Sequence, residues 1–245
     1  MPDFNFDQFK RDMKDGFNAA ANGLASAAGQ ASNAVQDAAR DAKIKSVNTR
    51  DFLRFARDLE RSGMVTSHGG NLSICNGPNI WITRTGAMLG HLTPNDISRV
   101  NWAESVELDS NASMELKVHR AMYHAAAEKL GQGEEFGSKA IIHAHSLYTT
   151  FRSLVSESLV PMDSEGVLLL GSEVPVFSPT ETVASDEVAT MMAQLVREGG
   201  RIAIIRGHGP FAIGNTLEEA YRLTSTLEHS AKLLTLFEQT GRKPE

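Results

Sequence analysis

The chain has 245 residues, 41% of them hydrophobic and 22% charged, which are the proportions of a folded domain rather than a disordered segment. A formal net charge of −6 offers no basic face, so no nucleic-acid partner is expected. The lone cysteine, Cys75, excludes an intramolecular disulfide; with no apolar run near the roughly 18 residues of a membrane span and no signal peptide at the start, the chain reads as cytoplasmic, with no membrane partner.

Residues 1–45 differ in composition from the rest of the chain. Phe6, Phe9, Met13 and Phe17 fall at helical spacing among charged residues and predict a short amphipathic helix. From Ala19 to Ala39 the only large apolar residues are Leu24 and Val35, so a helix there has little to bury. We read 1–45 as a helical extension, a simple appendage or, through its apolar stripe, a docking helix for a protein partner or a compartment shell. The domain proper is expected over 46–245.

That domain opens with a helix carrying Phe52, Phe55 and Leu59 and stopping at Gly63. Asn71–Cys75 and Ile80–Thr83 then read as two strands joined through Asn76-Gly77, a hairpin signal. At the ends of this hairpin lie Ser67-His68-Gly69-Gly70-Asn71 and Thr83-Arg84-Thr85-Gly86. Both loops are rich in small hydrogen-bond donors: ordinary turns, or together a cradle for phosphate or carboxylate. Thr93-Pro94 starts a short helical turn. After Ser113 comes a helix with Leu116, Met122, Ala126 and Leu130 on one face; Glu115 in its first turn either favours the positive helix end or does chemistry.

Further on, Val167–Leu170 reads as a buried strand, Val174–Phe177 as another, and Ser185 caps a helix bearing Val188, Met192 and Leu195. Thr216-Leu217-Glu218-Glu219 is a capping box opening a long final helix that ends at Gly241. Helices and strands alternate, so the fold class is α/β, with layers of helices on a mixed sheet.

The histidines carry the functional signal. In the strand Ala140-Ile141-Ile142-His143-Ala144-His145, the two imidazoles project to one face. A second apolar strand, Ile202–Ile205, leads to Gly207-His208-Gly209, where the glycines permit a tight turn. His143, His145 and His208 with an open fourth position describe a catalytic metal centre; hydrogen-bonded core histidines are the plainer alternative. His119, His124 and His229, on helices, read as surface or helix-packing residues.

Gly69-Gly70-Asn71-Leu72-Ser73, Thr83-Arg84-Thr85-Gly86, Ser113-Met114-Glu115, His143-Ala144-His145 and Gly207-His208-Gly209 occur in the order found in the class II aldolase/adducin family, which residues 48–240 resemble. The resemblance implies a three-layer fold with a mainly antiparallel, nine-stranded sheet flanked by helices, in a cyclic homotetramer. It implies Zn2+ bound by His143, His145 and His208, Glu115 as acid/base, and Gly70, Asn71, Thr85, Gly86 and Ser113 around a substrate phosphate. The activity implied is retro-aldol cleavage of a ketose phosphate to dihydroxyacetone phosphate and an aldehyde. The same site could serve an epimerase, a dehydratase or a decarboxylase, and an adducin-like member is a binding module without catalysis. Met114 and Arg84 depart from the family pattern, which commonly has serine and proline there, and the chain lacks the C-terminal tail that brings a tyrosine to the site in some members.

Overall fold

The computed structural model describes residues 49–103, 111–130 and 136–241 of the protein. The predicted extension over 1–45 and its apolar stripe lie outside those residues.

A helix over residues 49–61 (α1) buries Phe52, Phe55 and Leu59. It is followed by the hairpin β1 (Asn71–Asn76) and β2 (Asn79–Thr83), then β3 (Ile97–Asn101). Next come α2 (Leu116–Glu128), β4 (Lys139–His143), α3 (Leu147–Val155), β5 (Ser158–Leu159), α4 (Ser164–Leu170) and β6 (Val174–Phe177). The chain closes with α5 (Asp186–Arg197), β7 (Ile202–Ile205), β8 (Gly209–Gly214) and α6 (Leu217–Gln239). Ser185 and Thr216 cap α5 and α6 through side chains that accept from Val188 and Glu219 N–H, as their positions predict.

The strands form one sheet in the order β3-β2-β1-β4-β8-β7-β6-β5. Every neighbouring pair is antiparallel except β6 with β7. Residues two apart share a face. Ile141, Ala203, Ile205, Phe211 and Ile213 therefore pack against Met122 and Tyr123 of α2 and Val188 and Met192 of α5. Ile202, Ile204 and Ala212 pack against Leu223, Leu227 and Ala231 of α6. The sheet is thus covered on both sides, which is why its central strands read as unbroken apolar runs.

Two expectations change. The sheet has eight strands among the described residues, not nine. Val167–Leu170 is not a strand but the end of α4, because Asp163 accepts the N–H of Gly166 and starts a helix; Val167 and Leu168 lie exposed rather than buried. Of the two readings of His119, surface or helix-packing, the second holds. The residue is fully buried under α2, where its Nδ1 meets the Ser73 hydroxyl at 2.6 Å and Ser73 in turn meets Tyr123 OH at 2.7 Å.

Candidate metal centre

Antiparallel pairing gathers the motifs at one end of the sheet. His143, the last residue of β4, pairs with Asn71, the first of β1, on one side and with Phe211 of β8 on the other. Leu72 N–H donates to Thr83 Oγ1, which brings the end of β2 and its Arg84-Thr85-Gly86 loop to the same place. His208 sits in the turn between β7 and β8, and Gly209 lies so close to Ala144 that a Cβ there would fall 2.0 Å from the Ala144 carbonyl oxygen. His145 lies two residues beyond the end of β4 rather than within it, its N–H donating to the Met64 carbonyl at 3.1 Å.

The three imidazoles converge. His143 Nε2 is 3.0 Å from His145 Nε2 and 3.2 Å from His208 Nε2. Two main-chain carbonyls decide what those atoms carry. His143 Nδ1–H donates to Pro210 O at 3.0 Å, and His208 Nδ1–H donates to Thr182 O at 2.7 Å. Each ring then has its proton on Nδ1, and the two Nε2 atoms present lone pairs to one another. Facing lone pairs at this distance repel unless a cation lies among them. Tetrahedral zinc with bonds of 2.0–2.1 Å separates its nitrogen ligands by about 3.3 Å, so the set fits such an ion.

Burial also keeps the rings neutral. It holds His143 well below the usual histidine range, with His208 and His145 adding repulsion. It lowers His145 to about 4, again helped by His208, and lowers His208 against the opposing Thr182 carbonyl. A neutral imidazole is the metal-binding form.

Glu115, immediately before α2, is 5% exposed. Its Oε1 accepts the N–H of Ala184 at 3.0 Å, and its Oε2 is buried without a hydrogen-bond partner among the described residues. Burial raises its carboxyl to about 7 against the pull of the Ala184 N–H and Lys117. Such a group can exchange a proton near neutrality.

Gly70, Asn71, Thr85, Gly86, Ser113, Glu115, His143, His145 and His208 all line one cleft of about 150 Å³. Gly70 has φ +77°, and a Cβ there would meet the His143 carbonyl oxygen at 2.8 Å, so only glycine fits. Asn71 is buried, with Oδ1 lacking a partner among the described residues. Ser113 Oγ accepts the Glu115 N–H at 3.2 Å and keeps its own hydrogen to donate. Thr85 differs: its hydroxyl already donates to Ala112 O at 2.8 Å, leaving its N–H. Arg84 also borders the cleft, its Nε fixed by Asp96 at 2.7 Å while Asp96 accepts from both the N–H and the hydroxyl of Thr93. His68, Ala87, Met114 and Val183 complete the lining. A larger groove of about 450 Å³ lies between α2 and α5, but no histidine of the cluster borders it and its Lys117 and Arg197 already pair with Asp186 and Glu128.

Three contributors have no side-chain signature: the carbonyl of Pro210, and the carbonyl of Thr182 and the N–H of Ala184 in the loop over residues 178–185. They act through the main chain, which any residue supplies, so no motif announces them.

The sequence pattern of the class II aldolase and adducin N-terminal domain matches residues 50–235. The chain belongs to this family. It is 27% identical over 192 residues to the L-fuculose phosphate aldolase of Methanocaldococcus jannaschii, covering 78% of this chain and 97% of that one. It is 26% identical over 201 residues to the 3-oxo-tetronate 4-phosphate decarboxylase of Escherichia coli, covering 79% and 88%. Among solved structures, the L-fuculose-1-phosphate aldolase of Thermus thermophilus superposes with a TM-score of 0.70 at 32% identity, over 80% of this chain and 97% of that one. This chain brings three imidazole nitrogens, a buried carboxyl group and a donor-rich cleft together in one place.

Proposed function

We propose that the protein is a zinc-dependent aldehyde-lyase cleaving a ketose phosphate, of the fuculose 1-phosphate kind, into dihydroxyacetone phosphate and an aldehyde. The observation that carries this reading is the meeting of three Nε2 atoms, two of them stripped of hydrogen by carbonyl partners, in the cleft that also holds the Glu115 carboxyl. A divalent ion held by His143, His145 and His208 supplies Lewis acidity toward a substrate carbonyl and its neighbouring hydroxyl oxygen.

The chain's own residues do the rest. When the C–C bond next to the carbonyl breaks, the hydroxyl on the departing carbon becomes the aldehyde carbonyl and releases its proton to water, while the bond's electron pair stays on the ketose-derived carbon. Glu115 delivers a proton to that carbon through Oε2, the oxygen without a partner, while Ala184 holds Oε1. In the synthetic direction the same oxygen removes it. Gly70, Asn71, Gly86, the Thr85 N–H and the Ser113 hydroxyl form the proposed phosphate seat, whose donors hold the reacting carbon in place.

A second reading, decarboxylation of an oxo-acid phosphate, has its own support. One set of relatives has that activity by name, and Arg84 holds out a guanidinium anchored, among the described residues, through Nε, a match for a carboxylate. The homotetramer belongs to the same proposal. Leu147, Phe151, Leu154 and Val155 of α3 and Val167 and Leu168 of α4 are exposed large apolar side chains, more than a lone chain needs. So does a cytoplasmic location.

The test is a panel of ketose 1-phosphates and 3-oxo sugar-acid phosphates incubated with the zinc-loaded protein. Release of an aldehyde together with dihydroxyacetone phosphate from a ketose 1-phosphate supports the aldolase. Carbon dioxide with dihydroxyacetone phosphate from a 3-oxo sugar-acid phosphate, and no aldehyde from any ketose 1-phosphate, shifts the assignment to the decarboxylase.

A further inference from the structure

Ala184 is the only non-glycine residue with positive φ among the described residues, at +50°. A Cβ makes this left-handed conformation costly, and such outliers persist where the surroundings impose them. Its N–H is the donor to Glu115 Oε1 at 3.0 Å. Two residues earlier, the carbonyl of Thr182 receives His208 Nδ1–H at 2.7 Å. The loop that contains them is tied down at both ends. Ser178 Oγ accepts from Arg206 Nε at 2.6 Å, Thr180 N–H donates to Glu187 Oε2 at 2.7 Å, and Ser185 Oγ donates to Glu181 O at 2.7 Å while capping α5.

We propose that Thr182 and Ala184 are positioning residues: a single three-residue backbone segment sets both the tautomer of the His208 ring and the direction of the Glu115 carboxyl, and the strained conformation of Ala184 exists to aim its N–H. The proposal rests on the roles assigned to His208 and Glu115. Its physical content is that a metal ligand and an acid/base on separate elements keep a fixed mutual orientation because one stiff peptide segment touches both. Neither contact needs the Thr182 or Ala184 side chain, so the backbone dihedral matters and the methyl group does not.

The test uses the full chain loaded with zinc. Ala184→Gly permits the left-handed backbone and keeps the N–H, so its loss of kcat is smaller than that of a residue to which this conformation is closed. Ala184→Val places a branched side chain where that conformation is excluded, turning the peptide. There kcat falls by about 10–100-fold, as when groups that orient catalytic ligands are lost, with KM and bound zinc nearly unchanged. Should the valine variant not fold, lactic acid at position 184 replaces the amide by an ester and removes only the N–H; the same loss is expected. Equal losses in the glycine and valine variants, or parental turnover in the ester, overturn the proposal. A readout free of activity separates it from the assigned function. Amide hydrogen exchange at Ala184 becomes at least about tenfold faster in Glu115→Ala; unchanged exchange overturns the clamp even if the enzyme is an aldolase. If instead no sugar phosphate is turned over by any form, the functional assignment fails while exchange at Ala184 still decides the contact.

Discussion

The rings of His143 and Phe211 lie flat on one another, centroids 3.9 Å apart and planes 13° from parallel. They are direct cross-strand partners on β4 and β8, and the carbonyl of Pro210, one residue before Phe211, holds the Nδ1–H of the same imidazole. One short piece of β8 therefore fixes the tilt and the tautomer of the most buried histidine of the cluster. The sheet core and the candidate metal site are not separable here.

Phe211→Ala should accordingly weaken both. Removing a fully buried phenyl costs about 3–5 kcal/mol of stability, and losing the support of the ligand ring should lower zinc affinity by about 10–100-fold. Phe211→Leu should keep most of the stability. Urea unfolding of the zinc-free protein and competition with a chelator read the two effects. Undiminished zinc affinity in the alanine variant argues against β8 as the support of His143.

Gly209→Ala is expected to be among the most disruptive single-carbon additions in the protein. Its φ is +148°, and the new Cβ would lie 2.0 Å from Ala144 O, a backbone atom between two of the histidines. The cost should be on the order of 3 kcal/mol or more, with loss of metal binding. Gly86→Ala is the control: φ is +70° but the space is open, so about 1–2 kcal/mol is expected. Similar unfolding midpoints for the two variants would contradict the close approach seen at Gly209.

Glu115→Gln should retain zinc and the fold but lose turnover by about 10²–10⁴-fold, because the amide cannot exchange the proton while its oxygen can still accept from Ala184. Metal content and kcat on the substrate found in the panel check this. Turnover near the parental rate removes Glu115 from the mechanism.

Acid should destabilise the protein partly through His119. Burial lowers its pKa from 6.5 to about 3. Between those values the unfolded chain binds a proton that the folded chain refuses, so the stability present above pH 6.5 is lost as pH falls and keeps falling toward 3. For one such group the loss between pH 6.5 and 5.5 is about 1 kcal/mol. His119→Gln can still hydrogen-bond Ser73 and should show a shallower decline by about that amount, with urea midpoints at the two pH values as the measurement. Identical slopes would falsify the account of His119.

The local signals were readable wherever a residue's own chemistry fixes its geometry. The Asn76-Gly77 hairpin, the caps at Ser185 and Thr216, His143 on β4 and His208 in its glycine-flanked turn occur where periodicity and turn chemistry place them, whereas His145 lies beyond the strand expected to carry it. Val167–Leu170 misleads because four apolar residues have no distinguishable period; the helix is set by Asp163, four residues before Val167. His119 reads equally as a surface or a helix-packing residue until α2 meets the sheet and its partner Ser73, 46 residues away in sequence, comes within 2.6 Å. The contributions of Thr182 and Ala184 were invisible because main-chain groups have no residue type.

The central claim is that His143, His145 and His208 together hold one divalent ion. Metal analysis of the purified chain after chelation and reloading with zinc addresses it most directly. One tightly held zinc per chain is expected, falling to nearly none in His143→Ala and in His208→Ala. A chain that retains no zinc after reloading, or variants that retain it undiminished, would contradict the claim.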